Sequence, residues 1–328
     1  MSFKNLVKSA LKPLHKHQKE YADTYIITLG RTGSTLLAEI LNTQKRLKII
    51  GEPLSLNRHN KEILRRFFPE SFLKERYIDL SEAEKQQMFA YFDSLAAGKT
   101  INSINWSDLG TGDHQLFTNR VVFKTHKITA LLDEFLQKDS STFIYLLRHP
   151  LSHSLSRMRN GWDTYISNFL QSPNIRSLLD PDQVQYLEKT DRSGERLQKF
   201  VASWCLENLV LFRKLQSDAR DLSRLLLVTY EELIHQPEKL LPVLCQKLGL
   251  DYTERMLNKL HRPSKGIVHS QKQTAQEINS QNKAYLLSNW RKGISATQEE
   301  KAFDILERLN IDVYLLHEDL PNRKYCMV

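Results

Sequence analysis

Residues 24–43 constrain the fold more than any other part of the sequence. An apolar run over 24–29 reads as a buried strand. It meets Gly30, Arg31, Thr32, Gly33, Ser34 and Thr35, and apolar residues at helical spacing follow from Leu36. Gly30 and Gly33 let the backbone turn tightly between strand and helix. Backbone amides at such a turn, together with the helix N-terminus, form a site for an anion. Arg31, Ser34 and Thr35 add side-chain donors. The pattern is not a Walker A loop, which has four residues between its glycines and then a Lys before the Ser/Thr. Here two residues separate the glycines and Ser34 follows Gly33 directly. Taken alone, the turn is equally compatible with a plain strand-to-helix connection.

Further apolar runs at 121–124, 142–147 and 224–229 read as buried strands, and Ile49 and Ile50 begin another short one. Helical spacing appears at 35–43, 129–137, 151–159, 199–215, 237–248 and 297–309. This alternation predicts an α/β fold of three layers, with a central parallel sheet covered by helices on both faces. No Pro/Gly/Ser-rich linker divides the 328 residues, so one domain over 1–328 is expected. Segments 57–119 and 161–193 interrupt the pattern. The first includes a glycine-containing loop at 108–113. Insertions of this kind lie over the carboxyl ends of the strands and form a pocket or a lid.

The net charge of +9 points to an anionic partner. No tract of five or more Lys/Arg occurs and no RNA- or zinc-finger signature is present, so nucleic acid is not indicated. Cys205, Cys245 and Cys326 are widely separated, which suggests reduced thiols rather than a zinc site or a disulfide framework. No apolar run has the length of a membrane span. Phe3, Leu6, Val7, Ala10, Leu11 and Leu14 alternate with lysines at helical spacing. A packed or solvated first helix is favoured there over a membrane-surface helix. A soluble, cytoplasmic protein is the expectation.

A second candidate anion site lies at 143–156. Arg148 ends a buried strand, Pro150 suits the first turn of a helix, and Ser156 lies on that helix. Near the C-terminus, Asn289, Trp290, Arg291, Lys292 and Gly293 form a basic turn in which Arg291 offers a bidentate fork. Tyr230, Glu231, Glu232 and Leu233 follow the last strand.

These segments, in order from 24 to 294, resemble the sulfotransferases that use 3′-phosphoadenosine 5′-phosphosulfate (PAPS), whose fold is P-loop NTPase-like. The resemblance implies that Arg31 grips the bridging oxygen and 5′-phosphate, while Thr32, Gly33, Ser34, Thr35 and Leu36 supply the cradle. Arg148 and Ser156 would hold the 3′-phosphate, with His149 standing where the family often has Asp or Asn. Arg291, Lys292 and Gly293 resemble the loop that covers this phosphate in cytosolic members, and Tyr230 would border the adenine. For the proton, two branches of the family are represented. Glu52 resembles the base of the tyrosylprotein and bacterial carbohydrate enzymes. Lys124 and His126 resemble the Lys-Thr-His segment of the cytosolic enzymes, in which the histidine is the base and the lysine assists. Glu52 is the favoured base and His126 the alternative.

The implied activity is sulfuryl transfer from PAPS to a hydroxyl or amine of a small-molecule acceptor such as a natural product, sugar or phenol. PAP is the product, no metal is required, and segments 57–119 and 161–193 form the acceptor pocket or a lid. A P-loop kinase or NTPase, or a non-catalytic module that binds PAP or another anion, is also compatible with the sequence.

Overall fold

The computed structural model describes residues 16–56, 64–97, 117–138, 140–217, 222–264 and 272–328. Seven strands are present among them: β1 (Lys16–His17), β2 (Thr24–Thr28), β3 (Leu47–Gly51), β4 (Phe117–Thr118), β5 (Arg120–Thr125), β6 (Thr142–Leu147) and β7 (Leu225–Thr229). Five form the central sheet in the order β3-β5-β2-β6-β7, and every pairing is parallel. The short strands β1 and β4 pair separately, so the segment 57–119 contributes a strand that its polar sequence does not suggest. Ile49 and Ile50 sit in β3, which forms one edge of the sheet.

Side chains alternate across the strands because successive Cβ atoms point to opposite faces. Tyr25, Ile27, Val121, Phe123, Phe143 and Tyr145 enter one core layer, which also contains Phe92, Phe135 and Trp204. Ile26, Val122, Ile144, Leu146 and Val228 enter the other. That second layer is filled by α1 (Ser34–Leu41), through Leu37, Ile40 and Leu41, and by Leu240, Leu241 and Leu244 from the helix Pro237–Leu248. Both faces of the sheet are therefore covered, and the three-layer α/β architecture follows.

Two helices differ from their sequence pattern. The stretch 199–215 is not continuous: Arg196–Glu207 and Leu209–Gln216 are separated at Asn208. The Asn208 amide donates to the Trp204 carbonyl at 2.7 Å and accepts from the Tyr145 hydroxyl at 2.9 Å, which ties the break to β6. The stretch 129–137 begins as a 3-10 turn, Thr129–Leu131, before becoming α-helical at Leu132.

Among the described residues no helix is long and apolar enough to cross a membrane. All three cysteines are free. The amphipathic segment 3–14 and the loop 108–113 lie outside the described residues.

Candidate active site

The loop after β2 reaches the carboxyl edge of the sheet, where strands on either side of β2 connect in different directions and leave a crevice. Its shape is set by inward ties. The Thr28 and Thr32 hydroxyls lie 2.5 Å apart, and Thr32 also donates to the Leu29 carbonyl at 2.9 Å. Thr28 reaches across to the Leu146 carbonyl at 2.8 Å. The Thr32 side chain, expected in the cradle, is instead buried beneath it as a brace. Arg31 and Gly33 are left-handed, with φ of 75° and 91°. A Cβ at Gly33 would lie 2.5 Å from the Tyr230 ring, so both conformation and space demand glycine there.

One cleft brings together Arg31, Gly33, Ser34, Thr35, Leu36, Arg148, Ser156 and Tyr230, all singled out in the sequence, with Arg159, Ser264 and Thr274. Arg31 Nε donates to Ser156 Oγ at 3.2 Å, and Arg148 Nη1 donates to the Arg31 carbonyl at 3.0 Å. The Arg148 guanidinium lies 4.6 Å from the centre of the Tyr230 ring. Its Nε is buried and has no hydrogen-bond partner among the described residues. Burial, and then the charges of Arg148 and Arg159, lower the Arg31 pKa below its ordinary value. No carboxylate lines the cleft among the described residues. Loop amides and convergent arginines are groups that can hold an anion.

The basic turn near the C-terminus is placed differently from its sequence expectation. Arg291 Nε donates to Asp319 at 2.8 Å, and its Nη1 donates to Glu299 at 3.0 Å. Arg291 lines neither the cleft nor its adjoining bay, and its Nη2 is buried with no hydrogen-bond partner among the described residues. Lys292 and Gly293 are exposed, while Asn289 and Trp290 line an adjoining bay that shares Arg148, Arg159, Tyr230 and Thr274 with the cleft.

His149 is fully buried. Its ring stacks on Trp290 with centroids 4.5 Å apart and meets Tyr314 edge-on. Its amide donates to Glu231 Oε1 at 3.0 Å, and the Tyr314 hydroxyl donates to Oε2 at 2.7 Å. Burial, helped by the Arg291 charge, lowers the His149 pKa to about 3. Burial and the nearby Arg157 do the same for His153, also to about 3; its Nε2 lies 2.9 Å from the Gly30 carbonyl. Both histidines are neutral in the fold and gain protons on acid unfolding. Their contribution is present above the unfolded value near 6.5 and is lost as pH falls toward 3. Urea unfolding is therefore expected to show stability declining from pH 7 to pH 4.5. His149→Phe, which keeps the aromatic stack, should flatten that decline. An unchanged slope in this variant would show that His149 is not the titrating group.

The base candidates converge on one atom. Gly51 pairs with Lys124 in the β3–β5 register, and the Glu52 amide donates to the Lys124 carbonyl at 2.6 Å. Glu52 itself is left-handed, with φ of 53°. Its Oε1 accepts from Lys124 Nζ at 2.7 Å and lies 3.1 Å from His126 Nε2. Lys124 Nζ is also 3.4 Å from Thr35 Oγ1, which joins the cluster to the phosphate loop. Burial alone would raise the Glu52 pKa. The His126 hydrogen bond and the charges of His126 and Lys124 outweigh it and hold the carboxyl well below its usual range.

The two sequence insertions meet beside this cluster. The Tyr77 amide donates to the Lys127 carbonyl at 2.9 Å, one residue past His126. The Arg76 guanidinium lies 4.2 Å from the centre of the Tyr165 ring. Trp162 leans on the phosphate loop so closely that a Cβ at Gly30 would lie 2.6 Å from its ring. Neither Arg159 nor Trp162 stood out in the sequence. Arg159 is nevertheless three residues past Ser156 on a helix that the pattern indicates, a spacing that shares a face.

The domain family described as "Sulfotransferase domain" matches residues 22–309, and the chain belongs to this family. A comparison with curated proteins finds no match. Among solved structures, the sulfotransferase domain of the Synechococcus PCC 7002 olefin synthase is similar at 18% identity and a TM-score of 0.47, covering 90% of this chain and 97% of that one. The sulfotransferase domain from the curacin biosynthetic pathway is similar at 15% identity and a TM-score of 0.46, covering 90% and 99%. Mouse sulfotransferase SULT7A1 complexed with PAP is similar at 12% identity and a TM-score of 0.41, covering 92% and 88%. The family assignment rests on the domain match.

Proposed function

We propose that the protein transfers a sulfuryl group from PAPS to a hydroxyl or amine of a small-molecule acceptor. The observation that supports this reading best is the contact of Lys124 Nζ with both Thr35 Oγ1 and Glu52 Oε1, which joins the Glu52–His126 pair to the loop after β2. The residues fit such a donor. The orphaned Nε of Arg148, the amides around Gly33 and the Arg31 guanidinium are donors without a competing carboxylate among the described cleft residues. When bound, the donor supplies an activated sulfuryl group and a bisphosphate leaving group.

Arg31 and Lys124 stabilise charge that develops on the leaving phosphate oxygen, and they do so without reorganising because both are already fixed. Glu52 and His126 take the acceptor's proton as a pair. They meet at Glu52 Oε1 and so face the acceptor together. The segments around Arg76 and Trp162 wall the acceptor side and limit water.

The test is thermal unfolding with PAP in magnesium-free buffer. Ligand at a hundred times its Kd stabilises by about 2.7 kcal/mol. PAP is expected to raise Tm, and ATP to raise it far less. No shift at PAP concentrations far above micromolar, or a shift seen only with ATP and magnesium, would remove the donor assignment.

A further inference from the structure

We propose that Arg159, rather than Arg291, is the second cation on the 3′-phosphate and sets the preference for 3′-phosphorylated nucleotides. This inference rests on the donor reading above. The helix Pro150–Arg159 starts two residues after Arg148. Ser152, Ser156 and Arg159 follow at spacings of four and three residues and so share one face. Each of them lines the cleft or its adjoining bay, and Arg159 lines both. His153 and Arg157, about 100° further round the helix, are both buried.

Arg159 is exposed and makes no ion pair or side-chain hydrogen bond among the described residues. Its charge is placed where the helix ends. Asn160 closes the last turn through its amide to the Ser156 carbonyl, and its side chain donates to the same carbonyl at 2.6 Å. A helix C-terminus carries partial negative charge and by itself repels a phosphate, so a cation in the final turn is needed to reverse the local field. Arg31, Arg148 and Arg159 then face one space with no acid lining it among the described residues. Like charges gathered in this way repel until a multiply charged anion enters.

Arg291 has the opposite character. Asp319 and Glu299 hold its Nε and Nη1, and it lines neither the cleft nor the adjoining bay. Arg159 lines both, and among the described residues it has no ion pair or side-chain hydrogen bond to break before meeting a phosphate.

Calorimetric titration with PAP and with AMP, which lacks the 3′-phosphate, tests the assignment in magnesium-free buffer. Wild-type protein should bind PAP the more tightly. Arg159→Gln should weaken PAP about tenfold or more and leave AMP within twofold, because one charge-assisted bond is lost. Arg159→Lys should recover part of the difference. Arg291→Gln should lower Tm and keep the PAP-to-AMP ratio. An unchanged ratio in Arg159→Gln, or a collapsed ratio in Arg291→Gln, overturns the inference. Wild-type protein that binds PAP and AMP equally also overturns it, yet leaves a nucleotide site standing. Wild-type protein that binds neither removes the donor reading and the inference together.

Discussion

Glu52→Gln is expected to lower kcat on the order of 10²-fold or more while PAP affinity stays close to that of the wild type. The amide keeps the shape of the side chain. It cannot carry the charge that Lys124 and His126 now share at a single oxygen. His126→Asn should cost a similar factor. The double variant should be little worse than either single one, because groups that act as a unit lose their function once. Steady-state kinetics on the three variants, with PAP binding measured alongside to establish folding, gives the answer. Multiplied losses in the double variant would show two independent roles. A mild Glu52→Gln with an inactive His126→Asn would assign the proton to the imidazole alone. Near-full activity in both would remove the cluster from the chemistry.

The sequence made the strand-loop-helix core legible because its cues are local. A buried strand, two glycines and a helical apolar stripe lie within twenty residues, and β2 and α1 form there. Other features depend on pairings that the sequence does not display. Glu52 and His126 looked like alternatives drawn from different branches of the family. They meet because β3 and β5 are neighbours although a long insertion separates them in the chain. Thr32 fitted a donor motif, and only its partner Thr28 decides that its hydroxyl turns inward. Arg291 fitted a phosphate-covering turn. Its neutralising acids lie 8 and 28 residues further along, and nothing in the local sequence announces them. Arg159 was visible in helical spacing, but which face of that helix borders the cleft is a tertiary fact. The break at Asn208 hides for the same reason: apolar periodicity continues across it, and the tie to Tyr145 is long-range.

Glu207→Ala is expected to destabilise the fold by on the order of 3–5 kcal/mol, because it leaves buried guanidinium groups without their counter-charge. The Glu207 side chain has no solvent exposure and Arg157 has 1%. Glu207 Oε1 accepts from Arg157 and from Ser203, the latter at 2.9 Å, and Oε2 accepts from Arg76 at 3.0 Å. Both arginines brace one loop: Arg76 lies against Tyr165, and Arg157 lies near the same ring and donates to the Asp163 carbonyl. The Tyr165 amide donates to Ser203, so the loop carrying Trp162 hangs on the same network. Burial works to raise the Glu207 pKa, yet Arg157 and Arg76 outweigh it and hold the carboxyl at about 2. A depressed carboxyl stabilises the fold above its unfolded pKa near 4.5, and that contribution is lost as pH falls toward 2. Denaturant unfolding at pH 7 should therefore show the full loss in Glu207→Ala, and the gap from wild type should narrow as the pH is brought down through 4 to 3. Glu207→Gln, which retains one acceptor oxygen but no charge, should show the same narrowing from a smaller initial loss. A gap that stays constant with pH would mean that packing around the side chain, and not its charge, holds this network together.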